Sequence, residues 1–187
     1  KASLLDVPHI LVGGLSDGGK STFLRQLITT LYLNNQYLTM TLIDLKGGLE
    51  FQYFEGLKRA IIAGSVPQAV AELKKAKDIM EQRMAVLKLN ECKDIVAFHK
   101  MPSEDRKYPK NWNTKAVLDR HLIVIDEAYE LFRVGPGSEA KEIQEARACA
   151  NAIAQKGRAL GIHLVIATQR PDKDAVDSQT KANMAGR

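Results

Sequence analysis

The sequence predicts an α/β fold in which a mostly parallel sheet carries helices on both faces. The first observation behind this is a set of short runs that are apolar throughout: HILVG (9–13), LTMTLIDL (38–45), LIVI (122–125) and HLVIAT (163–168). A strand without polar alternation is one covered on both sides. The second is that stretches of helical periodicity fall between these runs, the order that makes parallel pairs. The third is the size and mixture of the chain: 187 residues, 45% hydrophobic and 26% charged, with 13 Gly and 6 Pro. That suits one domain with a core of its own, residues 1–187, and excludes collagen-like, coiled-coil and wholly disordered chains.

His9 to Gly13 reads as the first buried strand, and the Gly-rich GLSDGG after it opens an apolar-periodic helix from Thr22 to Leu33. Asn34 and Asn35 punctuate, and Leu38 to Leu45 is a second strand whose carboxyl end carries Asp44 and Lys46. From Pro67 to about Asn90 a long helix is predicted, because Val70, Leu73, Ala76, Met80, Met84 and Leu87 recur at steps of three and four. Periodicity is lost from His99 to Arg120, where Pro102, Pro109, Asn111 and Asn113 predict a surface excursion. Leu122 to Ile125 forms the third strand, tipped by Asp126 and Glu127, and Gly135-Pro136-Gly137 breaks the chain after it. Ala140 to Leu160 is a helix with a small-residue face closed by Gly161, and His163 to Thr168 is the fourth strand. In such sheets ligands bind beyond the carboxyl ends of the strands.

Lys plus Arg is 27 and Asp plus Glu 22, a net charge of +5 that favours polyanionic partners without requiring them. Cys92 and Cys149 lack CxxC spacing, so neither a disulfide framework nor a zinc site is indicated, and a reducing cytoplasm is the expected setting. No apolar run reaches the ~18 residues that span a bilayer, and KASLLDVPH has no signal-peptide core. The start on Lys1 rather than Met leads us to expect a piece of a longer chain.

GLSDGGKS, Gly14 to Ser21, fits G-x-x-x-x-G-K-[ST] and lies between a strand and a helix start, where a phosphate loop must lie. Glycines let backbone N–H groups turn toward the anion, and the helix N-terminus adds its positive end. Lys20 would reach the β- and γ-phosphates and Ser21 would ligate magnesium. The nucleotide-binding set is therefore Gly14, Asp17, Gly18, Gly19, Lys20, Ser21 and Thr22, with ATP and Mg2+ as cofactors. LIVIDE supplies the rest: Asp126 for the magnesium shell beside Ser21, and Glu127 as the base that polarises the attacking water. An acidic pair at a strand end is by itself more often a turn or cap; the phosphate loop upstream changes its meaning. Gln169, at the tip of the fourth strand, is placed to hydrogen-bond the γ-phosphate and the water, although a lone Gln would ordinarily be a solvated loop residue.

AQKGRALGIHLVIATQRP (154–171), PHILVGG with GKS (8–21), the IDLK…LE…EG segment (43–56) and the closing KANMAGR resemble the motor domain of FtsK/SpoIIIE-type DNA translocases. The resemblance runs from Pro8 to Arg187 and is weakest between Lys88 and Arg120. It implies a RecA-like P-loop NTPase, a homo-oligomer in the form of a hexameric ring around double-stranded DNA, and ATP-driven translocation. It further implies membrane-anchoring or DNA-reading domains elsewhere in a longer chain, the cytoplasmic motor then being tethered. Two departures stand out: SDGGK in place of GSGK, which puts Asp17 near a phosphate turn, and Leu45 where the family's IDPK has Pro. A ring ATPase needs a cation from the neighbouring subunit to neutralise charge in the transition state. By the resemblance Arg158 is the first candidate and Arg170 the second, against a role for Arg158 in satisfying the last helix carbonyls.

Cargo is not legible. The 99–115 segment mixes Lys100, Arg106, Lys107, Lys110 and Lys115 with Tyr108 and Trp112, and reads as a solvated insertion ahead of a nucleic-acid surface. Residues 133–139 are an alternative pore contact. His9 and His163, at strand starts, are expected to be structural. Two rival functions stay open: the ATPase of a conjugation or protein-secretion apparatus, and a nucleotide-binding module of weak activity, the latter opposed by intact Lys20, Asp126, Glu127 and Gln169.

Overall fold

The computed structural model describes residues 4, 6–14, 18–110, 112, 118–133, 140–169, 176 and 178–184. Its centre is a five-stranded, all-parallel sheet: β1 (His9–Gly13), β2 (Thr39–Asp44), β3 (Ala60–Ala63), β4 (His121–Asp126) and β5 (Ile162–Thr168), in spatial order β1-β5-β4-β2-β3. The α/β expectation therefore holds, with one strand more than the sequence showed. β3 is only four residues long and runs along the edge of β2, with Ile61 half-exposed. Too short and too exposed to read as a buried run, it is created by its pairing.

Alternate strand residues face opposite layers, as period 2 requires. Ile43, Ile123, Ile125, Leu164 and Ile166 face helices α2 (Val66–Leu89) and α5 (Ala140–Leu160). Leu42, Val124, Val165 and Ala167 face Leu24 and Ile28 of α1 (Lys20–Asn34), together with Phe51 and Phe54. Helix α2 begins with Pro67 in its first turn, where the missing N–H costs nothing, and buries Ala69, Val70, Leu73, Ala76 and Met80 along one stripe. Lys74 of α2 and Glu145 of α5 pair at 2.8 Å on the outer rim of the helix layer. Gly161 closes α5 at φ +68°, as its position predicted, and a Cβ there would lie 2.2 Å from Ile95 Cδ1.

The predicted excursion at 99–120 is more ordered than its composition suggested. Asp94 caps a short helix, α3 (Ile95–Lys100), accepting from Ala97 N at 2.8 Å, and Ile95 and Phe98 are buried. Arg106 is held within the fold: its guanidinium donates to the His99 and Met101 carbonyls at 2.9 Å and lies over the Phe98 ring. Tyr108 packs edge-on to Phe98 and stacks on Trp112. Its basic and aromatic residues thus knit the segment to itself, and Lys107 and Lys110 remain exposed. Residues 111, 113–117 and 134–139 lie outside the described residues, so the Lys115 and Gly-Pro-Gly expectations lie there too. A further helix the sequence did not announce, α4 (Ala128–Phe132), follows β4 directly; five residues are too few to show a period.

The amino ends of the strands hold buried imidazoles. His163 Nδ1 donates to the Pro8 carbonyl at 3.1 Å while Nε2 accepts from Arg120 at 3.0 Å, and His9 Nδ1 accepts from Leu164 N at 3.1 Å. His121 lies between the Thr39 and Thr41 hydroxyls at 2.7 and 3.1 Å. Burial lowers the pKa of His9 and His121 to about 4 and that of His163 to about 3, from 6.5. The unfolded chain takes up protons near pH 6.5 that the folded chain refuses, so stability is full above that pH and falls as pH drops toward 4. At pH 5.5 the three together are expected to cost about 4 kcal/mol, at ~1.4 kcal/mol per histidine per unit. Denaturant titrations at pH 7.5 and 5.5 measure this, and equal unfolding free energies would contradict it.

Candidate functional site

Register brings the informative residues to one end of the sheet. Gly13 at the tip of β1 is level with Thr168 of β5, and Asp126 at the tip of β4 is level with Asp44 of β2. Because β5 lies between β1 and β4, the segment carrying Gln169 emerges between the phosphate loop and the acidic pair. This adjacency is a property of strand order and is invisible along the chain.

Gly14 leaves β1 with its N–H bonded to the Thr168 carbonyl at 3.3 Å. Residues 15–17 lie outside the described residues, and the Asp17 expectation with them. The chain returns at Gly18 and Gly19, Gly19 preceding the helix at φ +78°, and α1 starts at Lys20. Among the described residues no side chain caps the first N–H groups of α1, and its positive end lies at the strand tips. Ser21 is half-buried on the first turn and Thr22 is exposed.

Lys20 is 8% exposed and its ammonium contacts Asp126 Oδ1, the carboxylate being 4% exposed. Two opposite charges so buried offset each other's desolvation only as a pair. Glu127 is also buried and has a left-handed backbone at φ +57°, a conformation that costs a non-glycine residue about 1–3 kcal/mol. It receives the Thr168 hydroxyl at 2.8 Å on Oε1, the Gln169 N–H at 3.2–3.3 Å across both oxygens, and Lys46 Nζ at 3.4 Å on Oε2. The strained residue thus sits at the β4 tip with its carboxylate held from β5 and from β2. Strain of this kind persists where the surroundings over-determine it.

The structure thus brings together Lys20, Asp126, Glu127 and the Gln169 backbone, with Gly14, Gly18, Gly19 and Ser21 beside them. Arg158 is not among them. It is exposed on the last turn of α5, at the opposite end of the sheet, where its charge lowers the pKa of His9. It lies away from the phosphate loop of its own chain. Arg170 lies outside the described residues. Sequence reasoning gave no role to Thr168 or to Lys46. Thr168 was hidden in a strand whose neighbour was unknown, and Lys46 was legible only as a cation at a strand end.

The donor set suits a hard divalent cation bound with a nucleotide: one buried carboxylate on Asp126 and a hydroxyl on Ser21, with the remaining positions left to phosphate oxygens and water. The Lys20 contact on Asp126 shows that this carboxylate already attracts a cation.

Residues 1–173 match the FtsK/SpoIIIE family. Among curated relatives, the DNA translocase FtsK of Caldanaerobacter subterraneus subsp. tengcongensis is 30% identical over 190 residues, covering 100% of this chain and 24% of the relative. That of Corynebacterium glutamicum is 32% identical over 191 residues, covering 99% of this chain and 20% of the relative. The chain therefore spans a quarter or less of the length of these relatives. Among solved structures, the pCW3 conjugation coupling protein TcpA, in its monomer form with ATPgS, superposes with a TM-score of 0.79 at 29% identity, over 98% of this chain and 48% of that one. The cytoplasmic domain of the Thermomonospora curvata type VII secretion ATPase EccC shares the fold, with a TM-score of 0.68 at 24% identity over 95% of this chain and 20% of that one.

Proposed function

The chain belongs to the FtsK/SpoIIIE family of P-loop ATPases, and from that premise we propose that it is the engine of a double-stranded DNA translocase. It would work as a cytoplasmic hexameric ring within a longer, membrane-tethered protein. The observation that carries the reading is the convergence of Lys20, at the start of α1, with Asp126 and Glu127, at the tip of β4. In this reading the first N–H groups of α1 and Lys20 cradle the phosphates of ATP. On nucleotide binding Lys20 would move from Asp126 to the β- and γ-phosphate oxygens, and Asp126 and Ser21 would hold magnesium. The metal supplies neutralisation of charge on the transferring phosphoryl group. Glu127 accepts the proton of the attacking water, and Gln169 orients that water and senses the γ-phosphate. Charge that one lysine leaves uncompensated is met by Arg158 of the adjacent subunit, in keeping with its distance from its own phosphate site.

The likeness to a conjugation coupling protein supports a related cargo reading, transfer of a protein–DNA complex. One experiment separates the two and tests the ring. Full-length protein should hydrolyse ATP several-fold faster with long duplex DNA than without, and doping in Arg158→Ala subunits should depress the stimulated rate faster than in proportion. No stimulation by duplex DNA would favour the transfer reading, and strictly linear loss on doping would remove Arg158 from the neighbouring site.

A further inference from the structure

Asp44 is fully buried at the tip of β2, level with Asp126 on β4. Its two carboxylate oxygens accept backbone N–H groups, Lys46 N at 2.9 Å and Glu50 N at 2.7 Å. These bonds fold residues 45–50 into a turn, and Gly47 and Gly48 supply the two left-handed residues it needs, at φ +80° and +75°. The turn is tied at its far end to α1, where Arg25 donates to Glu50 at 2.9 Å. Its near end delivers Lys46 to Glu127.

Glu127 is thereby gripped from opposite sides: Thr168 of β5 takes Oε1 and Lys46, beyond β2, takes Oε2. Its backbone is left-handed at φ +57°, a strained conformation held by contacts from both neighbouring strands: Thr168 and the Gln169 N–H from β5, and Lys46 from beyond β2. Thr168 and the Gln169 N–H hold the group from the β5 side, the N–H across both oxygens. Lys46 adds the contact from the β2 side, a charge on Oε2 that opposes a swing of the carboxylate toward β5.

We propose that Lys46 is a positioning residue for hydrolysis: through the Asp44-anchored turn it aims the Glu127 carboxylate. This rests on the reading of Glu127 as the base. Lys46 lies outside the 14–22 segment, and about 43% of its side chain is exposed, so replacing it removes the ion pair without emptying the core.

The experiment uses the full-length protein, with binding of a fluorescent ATP analogue and ATP turnover as separate readouts. Lys46→Met is expected to leave analogue affinity within twofold and KM nearly unchanged while kcat falls about tenfold, less than the ~10²–10⁴ a general base contributes. Lys46→Arg, which keeps a donor within reach of Oε2, should recover most of the loss. If Lys46 acts only through Glu127, Lys46→Met in a Glu127→Gln background should lower kcat no further. Unimpaired Lys46→Met, a multiplicative double variant, or a drop in analogue affinity would each overturn the proposal while leaving Glu127 as base. Wild-type turnover by Glu127→Gln alone would overturn the base assignment and this inference with it.

Discussion

Replacing Lys20 by alanine is expected to weaken ATP binding more than about 100-fold, roughly 3 kcal/mol, the scale of deleting a charge-assisted hydrogen bond at a buried site. The side chain is 8% exposed and held against Asp126, at the start of a helix whose first N–H groups have no side-chain cap among the described residues. No other lysine or arginine among the described residues of the 14–22 loop could replace it. The substitution also strands the buried Asp126 carboxylate, so part of any weakening could come from the fold itself. Lys20→Arg separates the two effects. It returns a cation to Asp126 and should restore the melting temperature, but a planar, bulkier guanidinium does not fit a cradle shaped for an ammonium, so ATP affinity should stay low. Isothermal titration beside thermal melts measures both. Retention of ATP affinity within twofold in Lys20→Ala would mean that the phosphates bind elsewhere.

Glu127→Gln is expected to lower turnover by a factor of about 10² or more while ATP still binds with magnesium. The amide oxygen can still accept from the Thr168 hydroxyl and the Gln169 N–H, so the β4 tip should keep its shape. What it cannot do is take a proton. The comparison is Glu130→Gln, an exposed acid three residues on, in α4, with the same change of charge. Single-turnover hydrolysis should collapse in the first variant and persist in the second, and equal impairment of both would reject Glu127 as the base.

The sequence by itself determined what is encoded locally. The phosphate loop, the acidic pair, Gln169, four apolar strands, the stripe of α2 and the Gly161 cap are all patterns a few residues long, whose meaning lies in spacing and in the strand–loop–helix order. Local elements too short to show a period, β3 and α4, escaped it for the same reason. The tertiary structure decided which tips are neighbours. Nothing in the spacing of residues 39–44, 121–126 and 162–168 says that β5 enters between β1 and β4, or that Asp44 lies level with Asp126. Strand order is set by long-range packing of two helix layers on a twisted sheet, and it turned Lys46 and Thr168 from undistinguished residues into the two side chains that hold Glu127. It likewise held Arg106, expected on a solvated insertion, within the fold, because backbone carbonyls at His99 and Met101 and the Phe98 ring lay within reach of its guanidinium. A cation's role depends on which acceptors surround it, and those come from parts of the chain that only folding brings close.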